Sequence, residues 1–118
     1  MNSDAVQGLL PIDLGLSDSV LRKIVDVSND EPGIVRASIF GSRASGQYRS
    51  GSDIDLAIEG ASLSMTQISR VETALDDLLL PWKIDLVHMD TVNNDELLRA
   101  IRRSGREILN RTRDGDQP

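Results

Sequence analysis

The 118 residues suffice for one domain, which buries roughly two-thirds of its unfolded surface and needs no disulfides to form a core. Apolar residues make up 39% and charged residues 27%, which is ordinary for a globular chain, and aromatics at 3% leave the core to aliphatic side chains. A net charge of −6 argues against a phosphate-tracking surface, and the absence of cysteine excludes thiol catalysis and thiolate zinc sites.

Residues 1–16 begin acidic, lack the basic start of a signal peptide and carry Gly8, Pro11 and Gly15. They read as a flexible lead-in. No apolar run approaches the ~20 residues that span a bilayer, so the expectation is a cytoplasmic protein without membrane contact. A first helix is predicted over 17–28, with Ser17 as N-cap and Val20, Ile24 and Val27 on one face. Pro32-Gly33 stops it. Ile34 to Phe40 is a first strand rich in β-branched residues, ending at Gly41. A short helical turn over 42–45 and a polar loop over 46–52 follow. Asp53 to Ile58 alternates polar and apolar and reads as strand two.

Gly60 breaks that strand. Ser64 and Gln67 form a capping box, and Ile68, Val71, Leu75 and Leu78 line one helical face up to Pro81. Lys83 to His88 is strand three. Asn93 and Glu96 resemble a second capping box. A last helix carrying Leu97, Ile101 and Ile108 is predicted, kinked near Gly105. The tail over 111–118 is polar and aperiodic. One α/β domain over 17–110 is therefore expected, with a small mixed β-sheet flanked by helices.

The chemistry concentrates in Phe40-Gly41-Ser42, then ten residues, then Asp53-Ile54-Asp55. Residues i and i+2 of a strand share a face, so Asp53 and Asp55 project side by side, roughly 7 Å apart at Cα. Paired carboxylates suit hard cations, which take oxygen ligands. Asp85 lies between aliphatic residues in strand three, where β-propensity gives it no reason to be. If strands two and three are neighbours, three carboxylates meet on one face. They could then hold two Mg²⁺ ions about 4 Å apart, an arrangement that clamps attacking and leaving oxygens in nucleotidyl transfer. Gly41 lets backbone approach a phosphate, and Ser42 adds a hydroxyl donor.

The string F-G-S-R-A-S-G, then S-D-I-D-L-A-I, then K-I-D-L-V resembles the minimal nucleotidyltransferases (MNT) of the DNA polymerase β-like superfamily. The match covers about Ile34 to Arg106, and its form resembles MNT proteins encoded beside a HEPN-domain partner, as toxin–antitoxin pairs or as substrate-binding pairs. The resemblance implies a polymerase-β-like fold, metal ligands and catalytic acids at Asp53, Asp55 and Asp85, and nucleotide contacts at Gly41 and Ser42. It also implies ATP or another NTP as substrate. Where the family often has Arg-Gly, this chain has Ser45-Gly46. Arg43 remains as a candidate phosphate contact; its alternative is to cap a turn.

Other charged and polar residues have plainer readings. Arg49 and Lys83 read as solvated cations, Ser52 as a loop-ordering residue and His88 as a packed or exposed strand end. Asp76 and Asp77 read as a solvated helix face, as do Arg99, Arg102, Arg103 and Arg106. Tyr48 sits at a loop tip, where it either stays exposed or stacks on a base or a partner.

The expected activity is Mg²⁺-dependent transfer of a nucleoside monophosphate, AMP from ATP, onto a partner protein, as the antitoxin half of a HEPN–MNT pair. The catalytic core takes up about 100 residues, which leaves no second domain to hold an acceptor. A separately encoded HEPN partner modified on a tyrosine hydroxyl is the expectation, and a homo- or hetero-oligomer is compatible with it. The alternative is a catalytically silent MNT-fold module that neutralises or regulates its partner by contact.

Overall fold

Ser17 begins the first helix as its sequence demands, with Oγ accepting the Val20 N–H at 3.2 Å. This helix, α1 (Asp18–Asp30), runs two residues past its predicted end. The chain then alternates strand and helix: β1 (Arg36–Phe40), α2 (Ser42–Ser45), β2 (Ile54–Glu59), α3 (Met65–Asp76), β3 (Ile84–His88), α4 (Asp95–Ser104) and β4 (Arg106–Asn110). The computed structural model describes residues 14–111. Among these, no helix is long and apolar enough to cross a membrane.

The four strands form one mixed sheet in the order β3-β2-β1-β4. β1 is antiparallel to both β2 and β4, whereas β2 and β3 run parallel. The parallel pair requires a crossover, and α3 supplies it. The Ser64–Gln67 capping box starts that helix, with Ser64 Oγ accepting the Gln67 N–H and Gln67 Oε1 accepting the Ser64 N–H.

Side-chain alternation divides the sheet into two unlike faces. Ala37 and Ile39 of β1 and Ile54, Leu56 and Ile58 of β2 are buried with Ile24 of α1 and Val71 and Leu75 of α3. The opposite face carries a smaller cluster in which Ala57, Met89 and Ile101 are buried, packed by Phe40, Val87, Leu97 and Leu98. There α4 is the covering helix.

Three expectations change. Ile108 is not on the last helix: α4 ends at Ser104, Gly105 turns extended, and Arg106–Asn110 pairs with β1 as a fourth strand. The open edge of β1 supplies ladder hydrogen bonds, and Ile108 and Leu109 pack against the larger core from there, so tertiary pairing overrides the local pattern. The cap of α4 is Asn94, one residue later than predicted, with Oδ1 accepting the Leu97 N–H at 3.0 Å. That shift places Asp95 and Glu96 in the first turn, where the helix dipole favours them.

The third change concerns the ends. Residues 1–13 and 112–118 of the predicted flexible segments lie outside the described residues. Leu14, however, is buried in the larger core, and Leu16 packs against it. At the other end, the Arg111 N–H bonds the Val35 carbonyl at 2.8 Å. The packed domain therefore takes in residues from both predicted lead segments.

Candidate active site

The parallel register sets Asp55 of β2 directly against Asp85 of β3. The antiparallel register sets Phe40, the last residue of β1, against Asp55. Gly41 therefore follows at the same end of the sheet, beside the Asp55 side chain. Gly41 takes φ +75°, and a Cβ there would run into Asp55 Oδ2. A residue with a side chain fits neither the conformation nor the space. Ser42 then opens α2, whose first N–H groups have no intrahelical acceptor.

Asp55 is half-buried and its carboxyl is raised above its usual range. Burial is the first cause, followed by the negative charge of Asp85 and then that of Asp53. Both other acids thus act on Asp55 electrostatically, and Asp53 is exposed. Lys83 Nζ lies 3.5 Å from Asp85 Oδ1, but the lysine is largely exposed and the pair is weakly held. Among the described residues, no three acidic or histidine side chains close tightly enough around one point to form a ready metal cage. Backbone register brings Asp55 and Asp85 side by side, but the side chains do not converge on one point.

The residues nevertheless fit divalent cations. The donor set is all oxygen and anionic, the Asp55 carboxyl carries uncompensated repulsion, and the side-chain-free Gly41 leaves backbone against it. Beside Asp85 an open cavity of about 340 Å³ lies between α3 and β3, lined by Glu72, Leu75, Asp76, Lys83, Ile84 and Leu86.

Arg43 does not join this group. Arg43 is buried, at 1% exposed. Nε and Nη2 donate to the Ser52 carbonyl, and Nη1 donates to the carbonyls of Leu14 and Gly15. A predicted phosphate contact is therefore turned inward as a structural cation. Tyr48 is not free at a loop tip, since its ring covers Arg43 at 5.2 Å. Trp82, to which no sequence motif assigns a role, covers Arg43 at 5.2 Å with its own ring. A lone tryptophan just before the strand of Asp85 was the available signal. His88 is packed: Nε2 meets the Gly60 carbonyl at 2.9 Å, and because a carbonyl only accepts, that nitrogen carries the proton.

Residues 22–114 match the family described as Polymerase beta, Nucleotidyltransferase. The chain belongs to that family. It is 30% identical over 91 residues to the "Probable protein adenylyltransferase MntA" of Haemophilus influenzae, covering 65% of this chain and 80% of that protein. Among solved structures, a toxin-antitoxin with AMP-PNP superposes with a TM-score of 0.66 at 23% identity, covering 81% of this chain and 77% of the other. The MNT antitoxin in complex with tri-AMPylated HEPN toxin of Shewanella oneidensis gives 0.63 at 20% identity, covering 86% and 78%. At these identities the likeness is one of fold. In this member of the family the end of the sheet bearing Asp55, Asp85 and Gly41 is the candidate catalytic end.

Proposed function

We propose that this chain is a Mg²⁺-dependent protein adenylyltransferase, the antitoxin of a HEPN–MNT pair, moving AMP from ATP onto its HEPN partner. One observation carries the reading: Asp55 and Asp85 are register partners, with Asp53 two residues upstream and the Gly41 backbone against the same carboxylate. The names of the relatives support protein as the acceptor and AMP as the transferred group.

Asp53, Asp55 and Asp85 would hold the metal. Bound there, Mg²⁺ supplies charge neutralisation for the triphosphate and for the negative charge that develops during transfer. Gly41 and Ser42 bind and orient the phosphates through backbone N–H groups and the Ser42 hydroxyl. The acceptor hydroxyl approaches Asp85 from the sheet face that Asp55 shares, and the Asp85 carboxylate takes its proton. The acceptor oxygen bonds to the α-phosphorus, the bond from that phosphorus to the bridging oxygen breaks, and pyrophosphate leaves with the electron pair. Asp55 keeps its place by burial in β2, so the reacting groups meet a rigid wall.

Intact-mass spectrometry of the co-expressed pair tests this. The expected product is a partner heavier by AMP, with the increment lost in an Asp55→Asn variant. An unmodified partner together with efficient transfer to RNA or to an aminoglycoside overturns the reading. A second reading, contact-only neutralisation by a silent module, is favoured by Lys83 on Asp85 and by the open ligand arrangement. An unmodified partner that is still neutralised by both wild type and Asp55→Asn selects it.

A further inference from the structure

Arg43 is a buried cation without a carboxylate partner among the described residues, and that is expensive. Taking a charge out of water costs several kcal/mol unless fixed dipoles replace the hydration. Here neutral groups replace it. The Ser52 carbonyl accepts from Nε at 3.3 Å and from Nη2 at 2.8 Å, and the Leu14 and Gly15 carbonyls accept from Nη1 at 3.0 and 3.3 Å. The rings of Tyr48 and Trp82 each lie 5.2 Å from the guanidinium carbon, a distance at which a cation gains from a π face. Trp82 is itself tied down, its Nε1–H donating to the Ser50 carbonyl at 2.8 Å.

These partners are not scattered through the fold. The Ser52 carbonyl belongs to the peptide bond that carries the Asp53 nitrogen. Trp82 is three residues ahead of Asp85. Arg43 itself sits in α2, one residue after Ser42. A planar fork with fixed donor angles holds a carbonyl plane more sharply than an ammonium or an apolar plug does. Gly15 completes the arrangement: it takes φ +74°, and a Cβ there would collide with the Tyr48 ring and approach Arg43 Nη1 to 2.8 Å.

We propose that Arg43 is a positioning residue, clamping together the three segments that present Asp53, Asp85 and the Gly41–Ser42 turn. The inference rests on the reading of Asp53, Asp55 and Asp85 as metal ligands. Arg43 touches none of the reacting groups. It sets the peptide plane on which Asp53 hangs, and the Trp82 stack links that plane to the start of β3. Such support is what keeps widely separated ligands in one geometry when their charges push them apart.

The test uses the full chain with Mn²⁺ and a non-hydrolysable ATP analogue, followed by water-proton relaxation, alongside far-UV circular dichroism and amide exchange. Arg43→Lys keeps the charge and loses the fork. It is expected to stay folded, to exchange faster at residues 50–53 and to bind Mn²⁺ about 10-fold more weakly, the usual cost of losing an outer support of a metal site. In transfer assays kcat falls while KM for ATP moves less. Should Arg43→Lys lose its fold, Trp82→Phe carries the comparison, because it removes the indole donor to Ser50 and shrinks the π face over Arg43 while leaving the guanidinium fork in place; a smaller loss in the same direction is expected. Unchanged Mn²⁺ affinity in the folded variants, with wild type binding normally, overturns the positioning role alone. A wild type that binds no Mn²⁺ in the presence of nucleotide overturns the metal reading on which it rests.

Discussion

Glu31 and Asp55 are both carboxylates drawn out of solvent, and the protein treats them in opposite ways. Glu31, the C-cap of α1, is 5% exposed. It accepts from Gln67 Nε2 at 2.9 Å and from both Nε and Nη2 of Arg70, which joins α1 to α3. Its carboxyl is held below the usual range, first by the Arg70 hydrogen bonds and then by Gln67. Asp55 is pushed above its usual range by burial and by two further anions. A carboxylate that serves the fold is satisfied within the fold. One left facing like charges is a standing cost that an outside cation can relieve, which is why the mismatch marks a candidate site.

The sharpest way to break the contrast is to neutralise one member at a time. Asp55→Asn is expected to lower Mg²⁺-dependent transfer by at least on the order of 10²–10³-fold, as loss of a transition-state electrostatic contact does. Thermal melts in EDTA should show the variant no less stable than wild type, because one of three repelling charges is gone. Full wild-type turnover in this variant would place the chemistry elsewhere.

Glu31→Gln should behave in reverse. Losing the charge-assisted bonds is expected to lower Tm by about 5 °C, while the transfer rate stays as in wild type. Arg70 is mostly exposed, so solvent screening keeps the loss modest. Differential scanning calorimetry and a transfer assay on the same preparation check both halves. A variant that melts with wild type would show that the clamp contributes nothing.

Mg²⁺ sharpens the comparison further. A ligand that binds only the folded state raises stability with its concentration. Saturating Mg²⁺ with an ATP analogue should therefore raise the Tm of wild type and of Glu31→Gln by a few degrees, and leave Asp55→Asn where it was.

The smallest effect is in the pH dependence of melting in EDTA, where the two carboxylates give opposite slopes. The folded-state pKa of Glu31 lies below its reference of 4.5, so its stabilisation is complete above that reference and is lost as pH falls through the folded value. The stability gap between wild type and Glu31→Gln should be widest near neutrality and close in acid. The folded-state pKa of Asp55 lies above its reference of 3.8. Its protonated form is the favoured one, so wild type should lose stability relative to Asp55→Asn as pH rises through the folded value, and the two should converge in acid. Parallel curves for all three proteins would contradict the assigned directions.

Much of the architecture was legible because it rests on local signals. The Ser17 cap, the Ser64–Gln67 box and the alternation through residues 53–58 are short-range patterns, and each corresponds to an element near its expected place. That alternation also accounts for Asp55 facing away from Ile54 and Leu56. Other features depend on partners far along the chain. β4 forms because β1 has an open edge and the core has room for Ile108 and Leu109. The inward turn of Arg43 depends on Leu14, Ser52 and Trp82, and the Glu31 clamp depends on side chains 36 and 39 residues away.

The order of elements as far as α4, the three in-strand or strand-edge acids and the glycine before α2 follow from the sequence by itself, since periodicity and backbone sterics act within a few residues. Only the tertiary structure decided that β2 and β3 pair in parallel with Asp55 against Asp85, and that Arg43 faces the interior. Strand register is settled by which buried faces fit together across the whole sheet, and the direction of a long charged side chain by which carbonyls and rings the folded chain brings within its reach.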